Sequence, residues 1–228
     1  MSGSALPSPS SPRQDVLGEL VHSLSQPLTS LRCSLELSID QFAQSERESV
    51  CAALEQTERL IHVVRLMQEY LETEKTKPAS QAVQLTPVLE DVLSQFSEIA
   101  EVKQVRLRLV GGRQGQIPVT QHRLRMALQY LIGVVLDDMH PKSDLVLWLE
   151  GTVSHFVLLA HAIEDPRGGF AVVPPKRDPI SDAMRKVRLA IAARVLESGG
   201  GEVELGTVEV PGFTIRMPRA ADPRGVSA

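Results

Sequence analysis

The chain has 228 residues, 43% of them hydrophobic, 23% charged and 4% aromatic, the balance of a globular protein of one or two domains with an aliphatic core. A net charge of −4 argues against nucleic acid as the main partner. No apolar run reaches the ~18 residues that a membrane span needs, and MSGSALPSPSSPRQ at the N-terminus lacks the apolar core of a signal peptide. Cys33 and Cys51 are the only cysteines and fall in two predicted helices, so they read as buried or free thiols in a reducing compartment rather than as a disulfide or metal site. Together these features predict a cytoplasmic protein that carries no membrane sensor of its own.

Residues 1–13 are rich in Ser and Pro and have almost nothing to bury, which predicts a disordered tail. A long helix follows from 14 to 43. Leu17, Val21, Leu24, Leu28, Leu31, Leu35 and Phe42 step along it by four and three, with Ser38 as the one polar break. Such a stripe is a narrow seam that packs on other helices. His22 lies beside the seam. Pro27 sits inside the stripe, where proline costs a helix roughly 3 kcal/mol. Gln44-Ser45 predicts a turn, and Ser45 with Glu48 fits a capping box for a second helix over 46–72. Its stripe is Ala53, Thr57, Leu60, Val64, Met67 and Leu71, widened by Ile61 and Val63. Two long helices joined by a short turn predict an antiparallel hairpin. One hairpin cannot cover its own apolar face, so a homodimeric four-helix bundle is expected.

Residues 75–82 form a polar linker. Beyond it, a helix starts at Leu85 with Pro87 in its first turn and continues through Leu89, Val92, Leu93, Phe96 and Ile99. Val105–Val110 alternates as a strand, 111–116 is a turn, and Ile117-Pro118-Val119 is a short strand. Gln121–Asp137 is a helix, 144–151 and 153–163 a hairpin, and 165–181 a loop rich in Gly and Pro. A helix over 183–198 stops at Gly199-Gly200-Gly201. A final hairpin spans 202–206 and 212–217, and 219–228 reads as a frayed tail. The class is α+β, with helices segregated from a mostly antiparallel sheet. The division is a hairpin domain at 14–74 and a sandwich domain at 83–218.

The stretch HSLSQPLTSL resembles the phosphoacceptor box of sensor histidine kinases, in the variant reading His-Glu-Leu-Asn-Gln-Pro-Leu. His22, Leu24, Gln26, Pro27 and Leu28 match it. The later segments LTPVLEDVLSQFSEIAEVKQVRLRL, RLRMALQYLIGVVLDD, RLAIAARVLESGGGEVEL and FTIRMP resemble, in order, the first helix, nucleotide helix, last helix and closing strand of the family's ATP-binding domain. The resemblance covers about residues 14–218. It implies a dimerisation and phosphoacceptor hairpin followed by a histidine-kinase-type, ATPase-like α/β sandwich, with His22 as phosphoacceptor. Gln26 would orient an attacking water, and Ser25, Gln26 and Thr29 would line a docking face. The family usually has an acid directly after the histidine as base for phosphorylation by ATP; here it is Ser23, which counts against autokinase chemistry.

The implied nucleotide site is degenerate. The family's Mg²⁺-binding Asn falls on Gly133 and its neighbouring Asn on Gln129. The adenine-binding Asp and its glycines correspond to Asp165-Pro166-Arg167-Gly168-Gly169, where Asp165 and Gly169 match and Arg167 replaces a glycine. The Gly-rich phosphate turn corresponds to 183–188, which has no glycine. There Arg185, Lys186 and Arg188 read as a solvated face, with an acidic partner or residual phosphate as the alternative. His62, His122, His140, His155 and His161 show no metal-ligand spacing. The resemblance therefore implies a histidine phosphotransfer protein. It would pass phosphoryl groups between receiver-domain aspartates and His22, with Mg²⁺ supplied by the receiver of a response regulator and no cofactor of its own. The alternatives are a divergent kinase using ATP and Mg²⁺, and a non-catalytic dimeric pseudokinase scaffold.

Overall fold

The computed structural model describes residues 21, 24–25, 28–37, 39, 44–75, 82–112, 115–163, 179–207 and 210–220. The expectations for the tail at 1–13, the linker at 76–81, most of the loop after 164 and the residues after 220 lie outside them. The chain divides into two compact units, Met1–Thr76 and Lys77–Ala228. No helix among the described residues is long and apolar enough to cross a membrane.

In the first unit, α1 is helical at positions 21, 24–25 and 28–37, and α2 spans Gln44–Lys75. The turn expected at Gln44-Ser45 lies inside α2, which also continues three residues past the predicted end at Glu72. No Gly or Pro interrupts 44–75, and the next breaker is Pro78. Ser25 meets Gln68, and Arg32 approaches Glu58 at 3.7 Å. Moving forward along α1 thus moves backward along α2, so the helices are antiparallel. Their seam is a cluster of Val21, Val64 and Leu71 with Leu28 and Met67 against it, all on the two predicted stripes. Thr57, the polar member of its stripe, is buried and donates its hydroxyl to the Ala53 carbonyl at 2.8 Å. Leu24, Leu31 and Leu60 remain 53%, 48% and 43% exposed. Cys33 and Cys51 are both free and exposed.

The second unit contains β1 (Val83–Gln84), α3 (Leu85–Gln95), α4 (Ser97–Val102), β2 (Arg106–Gly111), β3 (Gln116–Ile117), α5 (Gln121–Asp138), β4 (Asp144–Gly151), β5 (His155–Ile163), α6 (Pro179–Glu197), β6 (Glu202–Leu205) and β7 (Gly212–Pro218). The five-stranded sheet has the order β2-β4-β5-β7-β6. The β2–β4 pair is parallel and the other neighbours are antiparallel. A parallel pair needs a crossover, and α5 supplies it between β2 and β4. In the minor pair β1–β3, β3 overlaps at Ile117 the short strand expected over 117–119, while β1 was not expected.

One face of the sheet is apolar because alternate residues point to it: Leu145, Leu147 and Leu149 from β4, Phe156, Leu158 and Ala160 from β5, and Phe213, Ile215 and Met217 from β7. Leu85, Leu124, Leu128 and Leu196, from α3, α5 and α6, meet Phe156, Leu158, Ile215 and Met217 around a gap of about 10 Å³, no larger than one water requires. The three helices therefore cover the same face, giving the expected α+β class.

The helix expected from Leu85 to Ile99 is divided at Phe96. The Ser94 and Ser97 hydroxyls donate to the carbonyls of Asp91 and Ser94, competing with the helix ladder there. Helix α6 starts at Pro179, four residues earlier than expected. Its missing N–H is harmless at a first helical position. Order also extends past β7, since the backbone N–H groups of Arg219 and Ala220 donate to Ser154 and Gln116 carbonyls. The Arg219 guanidinium lies 4.5 Å from the Phe156 ring centroid.

Two helices end in the same motif. After α6, the Gly201 N–H donates to the Leu196 carbonyl at 2.9 Å and the Gly200 N–H to Glu197 at 2.8 Å, with Gly200 at φ +74. This is a Schellman stop. After α4, Val105 N–H donates to Ala100 at 2.8 Å and Gln104 N–H to Glu101 at 2.9 Å, with Gln104 itself left-handed at φ +56. Replacing Gly200 by Ala should therefore lower stability by about 1 kcal/mol, and Gln104→Gly should raise it by a few tenths to about 1 kcal/mol. Urea denaturation of the two variants measures both signs.

Candidate functional site

On α1, His22, Gln26 and Pro27 lie outside the described residues. Ser25 and Thr29 are described. The Ser25 hydroxyl donates to the Val21 carbonyl at 3.1 Å and accepts from Gln68 Nε2 at 3.1 Å. Ser25 is half-buried and engaged with α2. Thr29 is exposed, and its hydroxyl donates to the Ser25 carbonyl at 2.8 Å. Thr29 is the more accessible of these two expected docking residues.

In the second unit, Asp165, Arg167 and Gly169 lie outside the described residues, while Gln129 and Gly133 sit on α5 beside a cavity of about 400 Å³. Gln129 belongs to a seam between helices. Its Nε2 donates to Gln95 Oε1 at 2.6 Å, the Gln95 amide donates to Asp91 at 3.1 Å, and Arg125 pairs with Asp91 at 2.8 Å. Forward steps of four on α3 match forward steps of four on α5, so these helices run parallel. At Gly133, a Cβ would lie 3.5 Å from Cζ of Phe96. A methyl would touch the ring, and a longer side chain would have to displace it or turn into the cavity.

The cavity ends at the C-terminus of α5, where Asp137 and Asp138 follow one another. Carboxylates there oppose the helix dipole and so call for cations. Three arrive. Lys103 Nζ donates to Asp137 Oδ1 at 3.1 Å and to the Leu136 carbonyl at 3.1 Å, capping the helix. Arg188 approaches the other Asp137 oxygen at 3.8 Å. Arg185 donates to Asp138 Oδ2 at 2.8 Å, with the Asp138 side chain only 5% exposed and that of Arg185 27%. Backbone geometry delivers each cation. The left-handed turn at Gln104 sets Lys103 toward α5 and is held by Lys142 N–H donating to the Gln104 carbonyl at 2.8 Å. Arg185 and Arg188, three apart, share one side of α6.

Three basic residues read from the sequence as a solvated face thus divide. Lys186 is 73% exposed beside Asp182, whereas Arg185 and Arg188 turn inward to an acidic partner within the chain. The stretch Leu136-Asp137-Asp138 carried the missed signal: two acids at a helix C-terminus demand nearby bases.

The described residues do not fit ATP and Mg²⁺. Gly133 offers no ligand atom. The Gln129 amide is engaged in the α3–α5 seam, and the carboxylate facing the cavity repels a polyanion. The nearby cations Lys103, Arg185 and Arg188 are already paired with Asp137 and Asp138, which offset two of their three charges. Among the described residues no group of three His, Cys, Asp or Glu could hold a metal ion.

No protein-family model and no curated protein matches the chain. Full-length ShkA, solved in complex with AMPPNP, matches 92% of this chain at 18% identity with a TM-score of 0.66. The Acinetobacter baumannii histidine kinase AdeS matches 86% of it at 16% identity with a TM-score of 0.55. In fold, the chain resembles sensor histidine kinases. A histidine kinase from Burkholderia phymatum STM815 matches 93% of it at 16% identity, TM-score 0.50. The chain spans 47% of ShkA, 97% of the AdeS structure and all of the Burkholderia one. The resemblance to sensor histidine kinases is therefore borne out at the level of fold, and fold alone does not assign chemistry.

Removing Arg185 takes from the buried Asp138 carboxylate the guanidinium that donates to its Oδ2. Arg185→Ala should lower unfolding free energy by about 2–3 kcal/mol, and Lys186→Ala by no more than about 0.5 kcal/mol because its pair is exposed. Urea melts of the two variants check the contrast.

Proposed function

We propose that the chain is a histidine phosphotransfer protein of a two-component phosphorelay, passing phosphoryl groups between receiver aspartates through His22 without using ATP. The observation that carries this reading is the α5–α6 corner. The segments that resemble the family's nucleotide-binding elements in sequence hold the chain's own ion pairs, Arg185–Asp138 and Lys103–Asp137. This supports loss of the ATP step with retention of the phosphoacceptor step. The whole-chain likeness to kinases favours the ATP-dependent alternative, and Ser23, Gly133 and the carboxylates at the corner oppose it.

A ring nitrogen of neutral His22 attacks phosphorus in a receiver aspartyl phosphate. The N–P bond forms as the P–O bond to the receiver carboxylate breaks, and that carboxylate leaves with the electron pair. A second receiver Asp reverses these steps. The receiver brings the Mg²⁺. His22 and Thr29 are seven residues apart in sequence, about two turns of an ideal helix, so the exposed Thr29 would share the docking face with the phosphoacceptor. Gln26 is also positioned by sequence to orient water for phosphohistidine hydrolysis. His22→Ala should abolish label transfer from a phosphorylated receiver domain, and Thr29→Arg should reduce it several-fold. Transfer unchanged in His22→Ala would sink this function and leave the pseudokinase scaffold.

The hairpin domain at 14–74 would act as a homodimer. Leu24, Leu31 and Leu60 stay exposed on a hairpin whose packed cluster is Val21, Val64 and Leu71 with Leu28 and Met67, and a second copy would cover them as a four-helix bundle. Leu24→Asp with Leu31→Asp should convert the protein to a monomer in sedimentation velocity. A dimer that survives both changes would refute this arrangement.

A further inference from the structure

We infer that Asp137 and Asp138 act as internal anions, filling from within the chain a three-cation cradle that would otherwise take a polyphosphate. This rests on the ATP-independent reading above and specifies what closes the site. The cradle is built from separate elements: Lys103 from the turn after α4, and Arg185 and Arg188 from α6. Each binds a carboxylate oxygen of two consecutive residues. Asp137 takes Lys103 on Oδ1 and Arg188 on Oδ2, at 3.1 and 3.8 Å. Asp138 takes Arg185 at 2.8 Å. The three cationic groups therefore meet two adjacent carboxylates. The Arg185 Nε–H is also buried and meets no acceptor in the structure, so this guanidinium holds a donor beyond the one given to Asp138. Planar guanidinium donors of this kind match phosphate oxygens.

Arg188 and Asp137 also line the adjoining 400 Å³ cavity, so the cluster is reached from an open space. In that position the carboxylates have two effects. They neutralise two of three positive charges, and they fix α6 against α5 without any ligand. The site is closed by its own side chains rather than simply lost through missing ones. Taking away the carboxylate charges while keeping their shape should reopen it.

The experiment is titration of the full-length protein with inorganic tripolyphosphate by calorimetry, alongside Asp137→Asn and the double variant Asp137→Asn with Asp138→Asn. The double variant should bind at least about tenfold more tightly than wild type, and its melting temperature should rise with ligand. Adding Lys103→Gln to it should remove most of the gain. Asp137, whose side chain is 56% exposed, tolerates substitution without loss of a buried pair, so Asp137→Asn alone should show a smaller gain even if the double variant is unstable. Wild type binding as tightly as the variants, or folded Asp137→Asn showing no gain, would overturn the inference. Failure of the wild-type protein to accept phosphoryl groups from receivers would instead defeat the proposed function and leave this result standing.

Discussion

Two consecutive carboxylates at the end of α5 set the terms for much of the second unit. Placed where the helix dipole is negative, Asp137 and the buried Asp138 are stable only if cations reach them. Lys103 comes from a turn that needs a left-handed residue at Gln104. Arg185 and Arg188 come from the first half of α6. The pairs connect the turn after α4 and helix α6 to α5, above a sheet whose apolar face the helices cover. Without the acids, the same three cations would face one another as an excess of positive charge.

The architecture and the proposed chemistry are connected through this corner. The α5–α6 junction of this kinase-like fold is held by contacts within the chain. Helix α5 is fixed on its other side as well, by Arg125–Asp91 and Gln129–Gln95 across the seam with α3. Gln129, expected from the sequence resemblance at a nucleotide-binding position, donates to Gln95 across this seam.

Much of the fold was legible in the sequence because its signals are local. The four-three stripes gave Val21, Leu28, Val64 and Leu71 as the hairpin seam, alternation marked β2, and the two expected hairpins correspond to β4–β5 and β6–β7. Three consecutive glycines gave the stop after α6. Boundaries set by competition were less visible: the break at Phe96 depends on serine hydroxyls, and the start of α6 on a proline read as loop. Strand order and the parallel β2–β4 pair arise from tertiary packing and leave no short-range mark. The ion cluster was hidden because its members are up to 85 residues apart in sequence, from Lys103 to Arg188. Only Asp137-Asp138 hinted at it, since bases on α6 alone look like a solvated face. The phosphoacceptor reading rests on HSLSQPL in sequence, and its His22 lies outside the described residues.

The most direct test of ATP-independent phosphotransfer is incubation of the purified protein with γ-labelled ATP and Mg²⁺, beside its His22→Ala variant. Neither protein should acquire label. Acid-labile label on the wild type alone would show that the corner at Asp137 and Asp138 still admits nucleotide, and that the chain is a kinase.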